Sequence, residues 1–482
     1  MRIGRDGANG APEKPGSPGQ GLTGAARRLV PGVRLGPLPR VAPHLPHVTP
    51  GKLPLRPRLP RRARIRVRRL APLLAVLGPG LIAGIAGNDA GGITTYSVLG
   101  AQTGYALLWL FPITIVVLAV VQEMAARLGT VTGQGLSDLI RDWFGVRWTA
   151  FAMLILLIAN LANTVAEFAG ASAALEIFGV SRLITVPVLA VALWALVVFA
   201  NYHWLERIFL LISLVFLTYI AAAFLAHPDA AQIVNGLTHP RLDVAGSPQI
   251  DILLLAVAVV GTTITPYMQF YLQSAVAEKG IGPEQLTYER ADAILGSVWT
   301  NVIAIFIVLA TAATLFGAGI VITDAAKAAE ALRPVAGDLS TILFAIGLFG
   351  ASVLAAMIMP ISTAFVICEA FGWESGVGKP VRDAPAFFGL FTFVLAAGAI
   401  VTLLPGLDLI GLIVGSQYLQ GLLLPIVLIF MLLLVNNRRL MGATANGRRM
   451  NTLAVVCVGL VIVLDVALLG ASALQAVGIK LG

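Results

Sequence analysis

A chain of 482 residues that is 58% hydrophobic and 12% charged is not a soluble globular protein, which carries about 25% charged residues. The net charge of +9 is unevenly placed, because residues 1–70 hold 16 of the 33 Lys/Arg and only two of the 24 Asp/Glu. The basic charge is therefore a tail and not a nucleic-acid-binding face. Two cysteines, Cys368 and Cys457, lie in apolar runs and form neither a disulfide framework nor a zinc spacing. No HExxH, GxSxG or GxxxxGK[ST] motif occurs, so a membrane hydrolase or ATPase has nothing to work with. Neither enzymatic activity nor a resident cofactor is expected.

Residues 1–70 are rich in Pro, Gly and Arg without hydrophobic periodicity, which reads as a disordered basic cytoplasmic tail. It ends in Arg61, Arg62, Arg64, Arg66, Arg68 and Arg69. This Arg61–Arg69 run is a candidate contact for anionic lipid headgroups. The plainer alternatives are a tail that only follows the positive-inside rule, or an upstream reading of the true start. Its length and flanks do not suit a cleaved signal peptide.

Eleven apolar stretches of spanning length follow, each near the roughly 20 residues a bilayer requires. They lie near 73–99, 105–126, 149–177, 183–201, 206–226, 251–276, 294–316, 340–368, 386–404, 408–435 and 453–476. An all-α membrane protein with 11 transmembrane helices is expected. With the N-terminus inside, loops on that side carry twelve Lys/Arg from Arg127 to Arg449, against five outside from Arg182 to Lys480. This bias predicts a cell (inner) membrane protein with a cytoplasmic N-terminus and its C-terminus outside.

The first and sixth stretches differ from the rest. The first contains Gly84-Ile85-Ala86-Gly87-Asn88-Asp89-Ala90-Gly91-Gly92, and the sixth contains Gly261-Thr262-Thr263-Ile264-Thr265-Pro266-Tyr267. Clustered glycines break the first helix. Pro266 removes a backbone donor and disfavours helix at Thr265. Broken backbone at membrane depth is tolerated only where it lines a cavity or is buried in protein. Breaks five segments apart predict two inverted five-helix repeats with a site at the midplane. The expected organisation is a first repeat over 71–227, a second over 228–440, and a loop with helix 11 over 441–482.

Asp89 lies within the first break, and an ionised carboxylate at that depth is a functional candidate by default. Beside freed carbonyls it makes a hard, all-oxygen cation site, although it could also cap the second half-helix. An anionic substrate would call for Arg or Lys at this depth, and none is present. Glu123 with Arg127, and Glu206 with Arg207, read as cytoplasmic-end ion pairs. Glu167, with Asn160 and Asn163 nearby in sequence, is either a pathway acid or a satisfied interhelical group.

Taken together, these stretches resemble the Nramp metal-transporter family. The resemblance rests on Gly78-Pro79-Gly80-Leu81 through Gly91-Gly92 and on Gly100-Ala101-Gln102-Thr103-Gly104-Tyr105. It continues in Gln122-Glu123-Met124-Ala125-Ala126-Arg127-Leu128-Gly129, Ala166-Glu167-Phe168-Ala169-Gly170 and Leu205-Glu206-Arg207. It covers roughly residues 73–440 and implies a LeuT-like 5+5 inverted repeat with helices 1 and 6 broken. The family's Asp-Pro-Gly-Asn reads Asp89-Ala90-Gly91-Gly92 here, so the carboxylate ligand carries over and the amide does not. Its Met-Pro-His reads Thr265-Pro266-Tyr267, which replaces the thioether with a hydroxyl. The ligating carbonyl before it maps onto Thr262. The helix-ten Gln maps onto Gln417, eight residues before Pro425, with Gln420 a weaker candidate one turn away. Gln417 is otherwise interhelical glue.

A thioether favours softer transition metals, so its loss relaxes discrimination against hard ions. Mg²⁺ keeps several waters when bound, which suits a roomier site. The resemblance is closest to the Nramp-related magnesium transporters. It implies import of Mg²⁺ and Mn²⁺ by alternating access, with Asp89, Gly92, Thr262, Thr265 and Gln417 around the ion. The family's proton-route acid is Thr164 here, and its two helix-six histidines correspond to Tyr267 and approximately Gln273. Weak or absent proton coupling follows, with Glu167, Thr164, Tyr267 and Gln273 as pathway or coupling positions. The alternatives are a sodium-coupled amino-acid transporter on the same fold and a non-transporting membrane sensor. The expected partners are the divalent ion and the bilayer, with no nucleic acid.

Overall fold

The computed structural model describes residues 78–199, 202–242, 249–316, 325–406 and 409–476. The 1–70 tail, with its Arg61–Arg69 run, lies outside them. Every regular element among the described residues is helical. Eight helices are long and apolar enough to span a bilayer, or nine if Leu423–Asn436 and Arg438–Thr444, bent by 58°, count as one more.

The first expected span is two short helices, α1 (Pro79–Ala86) and α2 (Ala90–Thr103). Then come α3 (Leu110–Thr132), the amphipathic α4 (Leu136–Phe144), α5 (Val146–Glu176), α6 (Arg182–Phe199), α7 (Tyr202–Ser213), α8 (Leu217–Leu225) and α9 (Ala230–Thr238). The sixth expected span is also two pieces, α10 (Gln249–Thr263) and α11 (Pro266–Lys279). The remainder is α12 (Leu286–Leu315), α13 (Ala325–Phe371), α14 (Pro385–Leu403), α15 (Leu409–Asn436), α16 (Arg438–Met441) and α17 (Arg448–Ala476). The short α4 and α9 lie in stretches read from sequence as loops. Asp229 makes α9 possible by accepting from the Ala231 amide at 2.8 Å, which satisfies a free donor of the first turn.

The broken helices lie in the interior with α3, α12 and α13 packed beside them, and α6 lies at the periphery. Of the most apolar stretch of the α10–α11 span 83% is buried, against 28% for that of α6. Leu183, Val188, Val191 and Phe199 on α6 are each more than 60% exposed, an apolar face that water does not favour and lipid covers.

α12 is the strut behind the first break, packing on α1, α2 and α3. Glycines set that approach. A methyl on Gly84 would lie 2.6 Å from the Gly296 backbone, and one on Gly80 would lie 2.5 Å from the Ala293 nitrogen. Two helix backbones therefore meet almost directly, as small residues permit in membranes. The strut also carries a carboxylate to the start of α1. Asp292 accepts from the amides of Gly78 at 3.0 Å, Gly80 at 2.7 Å and Leu81 at 3.3 Å, donors that a helix N-terminus leaves free.

Glu123 binds Arg127 at 3.1 Å, the ion pair expected from the i,i+4 spacing, and also Arg290 at 2.7 Å. Glu206 departs from expectation. It pairs with Lys279 at 2.6 Å, while Arg207 sits over the Trp204 ring. Neighbours in a helix point about 100° apart, so Glu206 reaches across to α11 and Arg207 faces away.

Candidate functional site

Two breaks, one in each half of the described fold, frame the candidate site. The first spans Gly87, Asn88 and Asp89 between α1 and α2. Asp89 is the cap of α2, its Oδ1 accepting from the Gly92 amide at 2.6 Å. One oxygen is therefore used in capping, and the carboxylate is still only 1% exposed. Asn88 turns the other way, its Nδ2 donating to Thr300 O at 3.1 Å and Thr300 Oγ1 at 3.0 Å on α12. Thr300 in turn donates to Gly84 O at 2.5 Å, a carbonyl that also accepts from the Gly87 amide at 3.1 Å, so the strut braces the end of α1.

The second break spans Ile264 and Thr265 between α10 and α11. In a continuous helix the amide of residue 266 would bond to the carbonyl of residue 262. Pro266 has no N–H, so the Thr262 carbonyl loses that donor. The Thr262 hydroxyl is buried and has no hydrogen-bond partner. Thr265 opens α11 with extended backbone and a side chain that makes no cap bond. Its buried hydroxyl has no hydrogen bond of good geometry, with the Tyr267 phenol beside it.

Contacts around Gly92 show how the breaks meet. A methyl placed on Gly92 would lie 2.8 Å from Gly87 O, 3.3 Å from Asp89 Oδ1 and 3.4 Å from Thr262 Oγ1. A backbone carbonyl, a carboxylate and a hydroxyl thus converge on the space that glycine leaves open. That donor set is all oxygen, with one charge. Among the described residues no group of three or more His, Cys, Asp or Glu is placed to hold a metal, so any cation here would rely on neutral oxygens beside Asp89. Hard cations take such ligands.

The two breaks are also tied to each other. Tyr267 Oη donates to Ala86 O at 2.7 Å, and Tyr96 Oη lies 2.9 Å from Thr263 Oγ1. Glu167 on α5 reaches the same place, with both carboxylate oxygens 3.2–3.3 Å from the Ala90 amide. Thr164, one turn earlier, donates to its own helix at Asn160 O, 2.7 Å away, and packs against Gly398. Gln273 donates to Gln134 O at 3.0 Å, two turns along α11 from the break. Gln417 lies on α15, outside the residues whose side chains are described. Gln420 on the same helix is buried, with both amide atoms unpartnered.

Sequence reasoning missed Thr300, Asp292 and Met268. Met268 Sδ would lie 3.2 Å from a methyl on Gly87, so a thioether does approach the first break, on its α1 side. The signal for Asp292 was a carboxylate six positions into a membrane helix, which is costly enough to call for an explanation.

Residues 80–471 match the family model described as natural resistance-associated macrophage protein-like. The chain belongs to the Nramp family. A relative named as a divalent metal cation transporter, MntH from Yersinia pestis (strain Pestoides F), is 28% identical over 411 residues. That alignment covers 82% of this chain and 95% of the relative. The manganese transporter of Eremococcus coleocola, solved with an aromatic bis-isothiourea compound, superposes with a TM-score of 0.65 at 20% identity. It covers 82% of this chain and 86% of that one. Mhp1, a nucleobase-cation-symport-1 family transporter, superposes with a TM-score of 0.53 at 15% identity, over 82% of this chain and 93% of its own. This Nramp protein is an all-helical, multi-pass membrane protein of LeuT-like fold.

Proposed function

We propose that this Nramp protein imports divalent cations, Mg²⁺ and Mn²⁺ foremost, by alternating access and with little or no proton coupling. The observation that carries the reading is the convergence of Gly87 O, Asp89 Oδ1 and Thr262 Oγ1 on the space over Gly92. Further features support it.

The space is open because glycine stands where the family resemblance has a ligating amide, which leaves room for an ion that keeps part of its water. Mg²⁺ dehydrates reluctantly and is bound through one or two carboxylates plus waters. The unpartnered Thr262 hydroxyl and the Thr265 hydroxyl beside the Tyr267 phenol can hydrogen-bond such waters, whereas a thioether could not do so well. The Thr262 carbonyl and the Gly92 backbone complete the proposed oxygen set, and Gln417 is the helix-ten ligand that the family resemblance implies.

Movement would come from α1 and α11, which are short, buried and separated from α2 and α10 by non-helical residues. Lys279 with Glu206, and Asp292 with the α1 amides, join those pieces to α7 and α12. Rocking them would make and break these contacts in alternation. Proton movement loses three carriers, since Tyr267 and Gln273 stand at the two histidine positions of the resemblance and Thr164 at the acid position, which leaves Glu167. Neither a phenol nor an amide titrates near neutrality. The Lys/Arg bias supports an inner-membrane location with the N-terminus inside.

Uptake of Mg²⁺ and Mn²⁺ into proteoliposomes tests the reading. Both ions should enter, and each should compete with the other. Transport of Mn²⁺ or Cd²⁺ with Mg²⁺ neither entering nor competing would overturn the Mg²⁺ assignment.

A further inference from the structure

Beyond the Thr265 position, α11 carries two glutamines that the metal site does not use. Gln269 and Gln273 are both fully buried. Gln269 has no partner for either amide atom, and Gln273 has none for its oxygen. An unsatisfied buried polar group is costly, and an apolar residue would carry no such cost. Positions 265, 269 and 273 follow the i, i+4, i+8 rule and share one helix face. At 1.5 Å per residue they span about 12 Å, from the break towards the Lys279 end of the helix.

That end is polar and buried. Gln273 bonds to Gln134 O, and the next residue, Ser274, donates to Glu369 Oε1 at 2.5 Å. The Glu369 carboxylate also presses on Gly135, so residues 134–135 and 273–274 place a carboxylate beside the last glutamine. Arg141 does not neutralise it directly. Its Nη1 bonds the Glu369 backbone carbonyl at 2.5 Å and its Nη2 pairs with Asp138 at 3.1 Å.

We infer that the Thr265–Gln269–Gln273 face of α11, ending at Glu369, is the inner leg of the ion path, along which a hydrated divalent cation passes over neutral amides. The amides and the Glu369 carboxyl bond the ion's waters. This rests on the proposed divalent-cation function, and it assigns Gln269 a role of its own. Amide dipoles serve hydration shells well and relay no protons, so the same row that lets the ion through gives no proton wire.

The test is thiol labelling in membrane vesicles, on a chain with Cys368 and Cys457 replaced by serine. Gln269→Cys, Gln273→Cys and Tyr271→Cys are compared with a cationic, membrane-impermeant methanethiosulfonate applied to either face. Tyr271 lies on the opposite side of the helix. Gln269→Cys and Gln273→Cys should react about tenfold faster than Tyr271→Cys, since thiol reactivity follows access, and Mn²⁺ should slow them. In parallel, Gln269→Leu should lower Mg²⁺ and Mn²⁺ turnover about tenfold while Mn²⁺ binding to purified protein persists, a rate effect of about 1.4 kcal/mol. Labelling of Gln269→Cys no faster than Tyr271→Cys overturns the inference. Should wild-type vesicles carry no divalent ion while the labelling pattern holds, the divalent-cation function fails, and with it the assignment of this face to a metal path.

Discussion

Tyr267 donates its phenolic hydrogen to the Ala86 carbonyl, 2.7 Å away, so the first residues of α11 hold the last residue of α1. The side chain stands where the family resemblance has a histidine, and it performs a structural task that needs no change of charge. Tyr267→Phe removes that donor and leaves a buried carbonyl short of a partner, at a cost of about 1 kcal/mol. Divalent uptake is expected to fall several-fold. Its pH profile between about 6 and 8 should match the parent's, because no group titrating there has been lost. Uptake rates with an internal pH dye check both points.

Gly92 keeps the site open. Even the methyl of Gly92→Ala would come within 2.8 Å of the Gly87 carbonyl, and backbone does not give way cheaply. Gly92→Ala is expected to reduce uptake about tenfold, a loss near 1.4 kcal/mol. Gly92→Asn, which would restore the amide of the resemblance, should fare no better. Uptake equal to the parent in either variant would show that the space is not used.

Ligand softness separates two nearby positions. Thr265→Met places a thioether at the second break and should raise the preference for Mn²⁺ and Cd²⁺ over Mg²⁺. Met268 already brings a sulfur to Gly87, but as packing on the α1 side. Met268→Leu is therefore expected to leave the Mn²⁺ to Mg²⁺ uptake ratio unchanged. A shift in that ratio would make Met268 a ligand.

Thr300 joins both sides of the first break, giving its hydrogen to Gly84 O and accepting from Asn88. Thr300→Val keeps the shape and loses both bonds, which should destabilise the protein by about 1–3 kcal/mol. Thr300→Ser should recover most of that. Thermal unfolding of the purified protein in detergent reads the difference.

Much of this was legible in the sequence because the bilayer limits the choices. Helices broken at Gly87–Asp89 and at Thr265–Pro266 follow from glycine clustering and from a proline without a donor. Asp89 drew notice because an acid between apolar runs is costly. What supports these residues was not legible. Asp292 and Thr300 act from a helix more than 200 residues away in sequence, and only packing shows that Gly84 and Gly296 bring that helix within reach. Glu206 illustrates the same limit. Adjacency in sequence suggested Arg207, while helix geometry sends its carboxylate to Lys279.

The most direct test of the account is Mg²⁺ and Mn²⁺ uptake into proteoliposomes by wild-type protein beside Asp89→Ala, with a pH dye inside. Uptake of both ions by the wild type, its loss in the variant, and an unchanged internal pH are the predicted result. Uptake that survives in Asp89→Ala, or that acidifies the lumen in step with metal entry, would contradict it.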